Sequence, residues 1–369
     1  MIKHYLNFLF FISTFLSSCK TVPVSEKSIF TSDQIVSTQV TYGKVSIDNP
    51  LKIWESELSL TQGALGHIYD IFKDAAQRIA ETDLTIKNTL KAKIYRPADK
   101  IKRPTVVVLH GGAFIKGSKD GEEIQKLCTI MAQHGMASIA IEYRMMNIFS
   151  CSFVKAGYCA TQDTKAALRY FKAHADEYGL DMNNVFLLGI SAGAVTALHT
   201  GFLDENESIS NKEEKLSDMF GGLNESGNAY EQLPKINGIV NIGGGVFSTD
   251  ILDNNIPVLN IHGRQDKIVS ISCDVPFKPF LTKYNSLIRE ASSISGNKAL
   301  NTKLRDALMT DLCGSEEIHR HLIQNNTYSE IKVYEDEGHS FTFSANGNLT
   351  KKGREEINLI IKFIIKHVK

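Results

Sequence analysis

The sequence predicts an α/β fold with a mainly parallel central sheet covered by helices on both faces. From Thr89 onward short apolar runs alternate with longer helical stretches, and strands separated by helices pair in parallel. The runs Thr105–Leu109 (TVVVL) and Val185–Gly189 (VFLLG) are continuously apolar, as strands covered on both sides require. The chain has 369 residues, 43% hydrophobic and 22% charged. It can therefore bury a full core, and a single-sheet domain of roughly 250–300 residues would use most of it. Lysine plus arginine and aspartate plus glutamate both total 41. That balance argues against nucleic acid as a main partner, because phosphate binding normally leaves a basic excess. A single tryptophan and the lack of tandem aromatic repeats argue against a propeller or a carbohydrate-binding array.

At the N-terminus, residues 1–18 read as a bacterial export signal, with Lys3 as its positive region and Tyr5–Leu16 as its apolar core. The run is too short to span a bilayer of ~30 Å. Leu16-Ser17-Ser18-Cys19 resembles a lipobox, which would make Cys19 the lipidated N-terminus and anchor the chain in the cell envelope by acyl chains alone. An ordinary secretory signal with an incidental cysteine is the alternative. Residues 19–62 are expected to be a polar tether, and residues 63–369 the folded domain, entered through a helix over Leu65–Arg78. No later run of 18 apolar residues occurs.

Within the domain the expected strands are Leu90–Tyr95, Thr105–Leu109, Ala137–Tyr143, Val185–Leu188, Ile236–Ile242, Ile256–Ile261 and Glu330–Tyr334. Helices are expected over Glu122–His134, Gln162–Tyr178 and Lys351–Val368. An exported chain meets an oxidising compartment, where disulfides persist. Sequence alone does not fix their pairing. The preferred pairs are Cys151 with Cys159 and Cys273 with Cys313, leaving Cys128 unpaired on an apolar helix face. A Cys273–Cys313 bridge would close a loop worth roughly 4 kcal/mol in the chain-entropy model. There is no CxxC and no HExxH, so no metal site is expected.

In a parallel sheet, chemistry gathers beyond the carboxyl ends of the strands. After Val185–Leu188 comes Gly189-Ile190-Ser191-Ala192-Gly193. Glycines two residues before and after a serine suit a sharp strand-to-helix turn that exposes the hydroxyl as a nucleophile at a helix N-terminus. The motif alone is weak. The apolar strand before it and the helix-compatible AGAVTALH after it make Ser191 the candidate. After Thr105–Leu109 comes His110-Gly111-Gly112-Ala113-Phe114, where glycines let main-chain amides approach a developing oxyanion. The candidate donors are the amides of Gly112, Ala113 and Ala192, and His110 is expected to be a buried structural histidine.

After Ile256–Ile261 the segment HGRQDKIV offers Asp266 as the carboxylate that orients an imidazole. Asp250, Asp253 and Asp274 are its rivals, expected to be solvated or capping. After Glu330–Tyr334 comes Glu335-Asp336-Glu337-Gly338-His339. In the order Ser…Asp…His the candidates are His319, His321, His339 and His367, and only His339 closely follows a strand with a glycine before it.

The joint layout resembles the α/β-hydrolase superfamily from roughly Thr89 to Lys369, and HGGAF is similar to the corresponding segment of hormone-sensitive-lipase-like and bacterial feruloyl/acetyl-xylan-type esterases. Further matches are Glu142-Tyr143-Arg144, Gln162-Asp163 opening KAALRYF, and Gly314-Ser315 before EEIHRHL. The resemblance implies structural roles for Asp163 and Arg144. Ala113 stands where many relatives carry glycine, and GISAGA replaces the common GDSAGG, so the acyl pocket is expected to be narrower or more apolar. Residues 274–312, between acid and base, read as an insertion, either a cap over the pocket or a disulfide-closed surface excursion. Gly243-Gly244-Gly245 lacks the GK[ST] of a phosphate loop and is expected to bring a strand end close to the pocket.

The expected activity is hydrolysis of a carboxylic ester, small or polysaccharide-linked, through Ser191, His339 and Asp266, with no cofactor and no metal. Within hydrolases the alternatives are a prolyl-oligopeptidase-like peptidase, which usually needs a large upstream propeller, and a long-chain lipase. Outside them it is a non-catalytic binding lipoprotein on a hydrolase scaffold.

Overall fold

The computed structural model describes residues 24–45, 89–99, 101–145, 152–205, 209, 216–278 and 310–369. The expected signal and Cys19, the helix at Leu65–Arg78, Cys151 and most of the 274–312 insertion lie outside the described residues.

The central sheet has eight strands, β1 (Ile35–Lys44), β2 (Thr89–Pro97), β3 (Arg103–Leu109), β4 (Ala137–Ile141), β5 (Leu180–Ile190), β6 (Ile236–Ile242), β7 (Val258–Gly263) and β10 (Ser329–Tyr334), in the order β1-β2-β4-β3-β5-β6-β7-β10. A separate two-stranded ribbon pairs β8 (Cys273–Asp274) with β9 (Leu312–Cys313). β2 runs antiparallel to β1 and β4, and every pairing from β4 onward in the central sheet is parallel. This is the α/β-hydrolase fold. Its chain winds from β3 to β4 on one side and from β4 back to β5 on the other. The carboxyl ends of β3 and β5 therefore flank the point where winding reverses, where the loops diverge and leave a crevice.

Alternation along the strands splits the core in two. Val107 and Leu109 of β3 join Leu187 of β5 on one face, packed with α2 (Phe153–Ala173) and α3 (Ala192–Phe202). Val106 and Val108 face the other way with Phe186 and Leu188, beneath α1 (Glu122–Gln133) and α5 (Lys351–His367). A period-two strand buried on both faces must be apolar at every position, which is why these runs do not alternate. In α1 the buried Ile124, Leu127, Cys128 and Met131 recur at helical spacing. Two further helical turns cover Ala175–Tyr178 and Leu216–Phe220, and α4 (Ser315–Gln324) precedes β10.

Three expectations need correction. The stretch read as tether contains β1, which pairs with β2 from Ile35↔Pro97 to Lys44↔Thr89. Most of its side chains are exposed or half-exposed, so this edge strand carries Ser, Thr and Gln and lacks the apolar signature of its buried neighbours. The helix expected from Gln162 begins at Phe153, where the Ser152 hydroxyl accepts from Lys155 N at 3.2 Å. Cys159 lies inside that helix, buried with a free thiol that burial pushes up to about 12, so the Cys151–Cys159 pair does not form. Cys273 and Cys313 are joined, across the register of β8 and β9.

One buried carboxyl stands out. Glu356 of α5 is fully buried, with Oε2 accepting from Thr342 Oγ1 at 2.9 Å and Oε1 without a partner among the described residues. Burial pushes it up to about 7, against the opposing Thr342 hydrogen bond. A carboxyl raised on folding holds its proton in the native state after the unfolded chain has released it. Its contribution is therefore favourable at low pH and is lost as pH rises from about 4.5 to 7. The loss is on the order of 3 kcal/mol. Glu356→Gln, which mimics the protonated form, is expected to leave the melting temperature at pH 4.5 nearly unchanged and raise it at pH 8. Thermal melts across that range would read this directly.

Candidate active site

Ser191 sits between the end of β5 and the start of α3 with φ 56° and ψ −120°, a conformation that costs a non-glycine residue on the order of 1–3 kcal/mol. The surroundings hold it there. Its N–H donates to Ile242 O at 2.8 Å, while its carbonyl accepts from Ala194 N at 2.8 Å and Val195 N at 3.0 Å. The flanking glycines are required by close approach. A Cβ on Gly193 would overlap the carbonyls of Leu109 and His110, and one on Gly189 would overlap the carbonyl of Gly193 and the main chain of Ala194.

The loop after β3 folds over this turn. A Cβ on Gly111 would lie 3.0 Å from Ile190 O and 3.2 Å from Ser191 Cβ. Gly112, Ala113 and Phe114 all have positive φ, at 119°, 55° and 62°. The loop closes through Ile115 N and Lys116 N, both donating to Gly112 O at 3.0 Å. Among the described residues no acceptor takes the amide of Gly112 or Ala113. His110 is buried beneath, its ring stacked on Tyr143 at 4.4 Å and its Nδ1 donating to Gly111 O at 2.8 Å. Burial lowers its pKa to about 4, despite that hydrogen bond, so it is a neutral support for the loop.

The ends of β7 and β10 are laced together by Arg264 N to Tyr334 O at 2.9 Å and Gln265 N to Glu337 O at 2.8 Å. This brings Asp266 to His339. Asp266 Oδ1 accepts from Ile268 N at 2.8 Å and Val269 N at 3.0 Å, and Oδ2 accepts from His339 Nδ1 at 2.7 Å. His339 Nε2 is 2.8 Å from Ser191 Oγ. The Asp266 side chain is 1% exposed and that of His339 18%, so the carboxylate is sealed while the imidazole reaches the crevice. Burial by itself would raise the Asp266 carboxyl. Hydrogen bonds from His262 and His339, the His339 charge and the Val269 amide together hold it well below the usual carboxylate range. Gly243, at φ 60°, lies against the His339 ring: a Cβ there would be 3.5 Å from Nδ1.

The rival residues stay elsewhere. Asp274 accepts from Lys278 at 2.8 Å, Asp250 lies in the turn Thr249–Ile251, and Asp253 is exposed. His319 and His321 lie on α4, and His367 packs on Phe363 and Tyr328 at the end of α5. Asp163 and Arg144 form a buried ion pair at 2.9 Å that ties the end of β4 to α2.

Sequence reasoning passed over His262. Its Nε2 lies 3.0 Å from Val269 O and 3.2 Å from Asp266 Oδ2, and its Nδ1 lies 2.8 Å from Ser315 Oγ. Only its place at the end of an apolar strand hints at burial, and the polar partners that a fully buried imidazole needs come from other elements of the fold.

The BD-FAE family model matches residues 92–244 of the chain. That stretch holds the Gly112 loop and the Ser191 turn, and Asp266 and His339 lie beyond it. Among curated proteins, an acetyl esterase of Salmonella paratyphi B is 33% identical over 108 residues, 29% of this chain and 30% of that esterase's length. An acetyl esterase of Salmonella typhi matches to the same extent. The chain thus spans about a third of the length of these relatives. Among solved structures, Thermogutta terrifontis esterase 2 phosphoramylated by tabun aligns with a TM-score of 0.49 at 18% identity, covering 75% of this chain and 89% of that one. The propionate-bound esterase of the same organism aligns at 0.46 and 16%, covering 77% and 92%.

The contrast between two glycines tests the packing of the serine turn. Gly193→Ala is expected to destabilise the fold by about 1–3 kcal/mol, because two main-chain carbonyls must move. Gly338→Ala, whose Cβ would meet nothing nearer than Gln265 O at 3.9 Å, is expected to change stability by less than about 0.5 kcal/mol. Denaturant titrations of the two variants give the comparison.

Proposed function

We propose that the chain is a serine hydrolase of carboxylic esters that works through an acyl-enzyme. The observation that carries this reading is the unbroken line from Asp266 Oδ2 to His339 Nδ1 at 2.7 Å and from His339 Nε2 to Ser191 Oγ at 2.8 Å, placed where the winding of the sheet reverses. The match to BD-FAE and the acetyl esterase relatives support it.

In this reading Ser191 Oγ attacks the ester carbonyl while His339 Nε2 takes its proton. The imidazolium so formed keeps its Nδ1–H on Asp266, which stabilises the new charge and fixes the ring. The carbonyl oxygen becomes an oxyanion received by the amides of Gly112, Ala113 and Ala192. Each such donor is worth on the order of 3 kcal/mol in the transition state. Collapse breaks the bond to the alcohol, which leaves with the His339 proton. Water, deprotonated by His339, then cleaves the acyl-serine bond, and the proton returns to Ser191. Short acyl groups are the proposed substrates, in keeping with the name of the acetyl esterase relatives. We also propose that residues 1–18 are removed as an export signal and that Cys19 carries the lipid anchor of an envelope protein.

A panel of p-nitrophenyl acetate, butyrate and octanoate with a feruloyl ester is expected to rank acetate first. Ser191→Ala is expected to fall to background and to lose labelling by a fluorophosphonate probe. Retained turnover in that variant would remove the reading. For the anchor, Cys19→Ala is expected to move the protein from the membrane fraction to the soluble fraction, and equal partition of the two would refute it.

A further inference from the structure

The Asp266 carboxylate has four donors, and the proposed reaction uses only one of them, His339. Two of the others are the Ile268 and Val269 amides, and the fourth is His262 Nε2, 3.2 Å from Oδ2, whose hydrogen is shared with Val269 O at 3.0 Å. Together they fill the roughly four lone-pair directions a carboxylate offers. The direction of the His262 bond follows from its partners. Val269 O and the Asp266 carboxylate only accept, so Nε2 must carry the hydrogen. Ser315 Oγ, buried at the first turn of α4, then satisfies every neighbour by donating its hydrogen to His262 Nδ1 while accepting from Asn241 Nδ2 at 3.3 Å. Asn241 Nδ2 also donates to Asn260 Oδ1 at 2.8 Å, and Asn260 Nδ2 donates to Ser329 Oγ at 3.2 Å. On its other side Asn241 Oδ1 accepts from Gly244 N at 2.9 Å, next to the glycine that lies against the His339 ring.

We propose that His262 is a positioning residue for the reaction: its Nε2–H, shared between Val269 O at 3.0 Å and Asp266 Oδ2 at 3.2 Å, holds Oδ2 in the direction His339 Nδ1 needs, and the Ser315 hydroxyl supports the tautomer that makes this donation. The assignment rests on the hydrolase reading above and extends it across β6, β7, α4 and β10. A carboxylate held by the two loop amides alone could swing Oδ2 away from His339. A misplacement of about 1 Å near the reacting groups lowers rate on the order of 100-fold. A histidine that merely filled space would do its work through volume, and any isosteric apolar residue would replace it.

The test uses the full chain, with His262→Leu, His262→Gln and Ser315→Ala, in two measurements. Turnover of p-nitrophenyl acetate is expected to show kcat lowered roughly 10–100-fold in His262→Leu with KM changed less than about two-fold. His262→Gln, whose amide restores a donor near the Nε2 position, is expected to recover most of that loss, and Ser315→Ala to lose a few-fold. Long-range proton–nitrogen spectra of the wild-type imidazoles are expected to show His262 as the Nε2–H tautomer. The His339 Nδ1 proton is expected to shift when His262 is replaced. A folded His262→Leu with unchanged kcat, a glutamine variant no better than the leucine one, or an Nδ1–H tautomer at His262 would overturn the proposal. If His262→Leu does not fold, Ser315→Ala and the wild-type tautomer decide it. If the wild type is inert to every ester and to fluorophosphonate, the hydrolase reading fails, and the tautomer and the His339 proton still decide whether His262 orders Asp266.

Discussion

The pairing of β3 with β5 is the constraint on which the site depends. Leu109 lies opposite Gly189 in that register, so the loop leaving β3 and the turn leaving β5 emerge side by side, and neither has room for the other unless both shed side chains. Gly189, Gly193 and Gly111 meet that demand. Their closeness brings Gly111 against Ser191, whose backbone conformation is held by hydrogen bonds with Ile242, Ala194 and Val195. The strained turn at Ser191 and the bareness of the loop meet at one strand pairing.

Charge is handled by the same logic of local partners. Asp266 and Glu356 are both buried carboxyls, yet they end at opposite extremes. Asp266 gathers two amides and two imidazoles and stays ionised far down the pH scale. Glu356 has one hydroxyl and, among the described residues, an oxygen without a partner, and burial pushes it up to about 7. Desolvation penalises both anions, and the number of donors aimed at the oxygens decides which one survives. A carboxylate that is to orient an imidazole has to be the first kind.

The elements legible in the sequence were those whose burial leaves a one-dimensional trace. β3 and the Val185–Gly189 stretch of β5 are covered on both faces and read as unbroken apolar runs, and Gly111 after β3, Gly189 and Gly193 about the turn after β5 and Gly263 at the end of β7 stand where close approach demands glycine. β1 left no such trace, because an edge strand with exposed side chains is free to be polar. The start of α2 was hidden for a similar reason: Gly157 sits inside it to make room for the Phe247 ring, and a glycine in mid-helix reads as a break. Cys159 looked like half of a disulfide because cysteine spacing carries no information about burial. Ser191, His339 and Asp266 could be picked out by their places after strands. Nothing in the spacing of His262, Ser315 and Asn241 links them, since their contact is made across neighbouring strands and a helix and exists only in three dimensions.

The insertion between β7 and β10 raises a geometric difficulty that the disulfide resolves. Asp266 precedes it, while Ser315 and His339 follow it, so any slack in the intervening chain would pass into the group that holds the carboxylate. Cys273 and Cys313 join the two ends of the excursion at one point, across the β8–β9 register. That point is itself seated on the strand end beside the site, with Cys313 N donating to Val246 O at 2.8 Å and Val246 N to Cys313 O at 2.9 Å. Gly314 N donates to Ser272 O and Glu316 N to Ile271 O, both at 2.9 Å, which docks the first turn of α4, and Ser315 with it, onto the chain leaving Asp266. The described ends of the insertion are thus clamped to each other and to α4. The path from Asp266 to Ser315 runs through this clamp. Because closing a longer loop costs little additional entropy, a clamp at this point leaves the placement of Asp266, His262 and Ser315 to the contacts of β7, α4 and the disulfide.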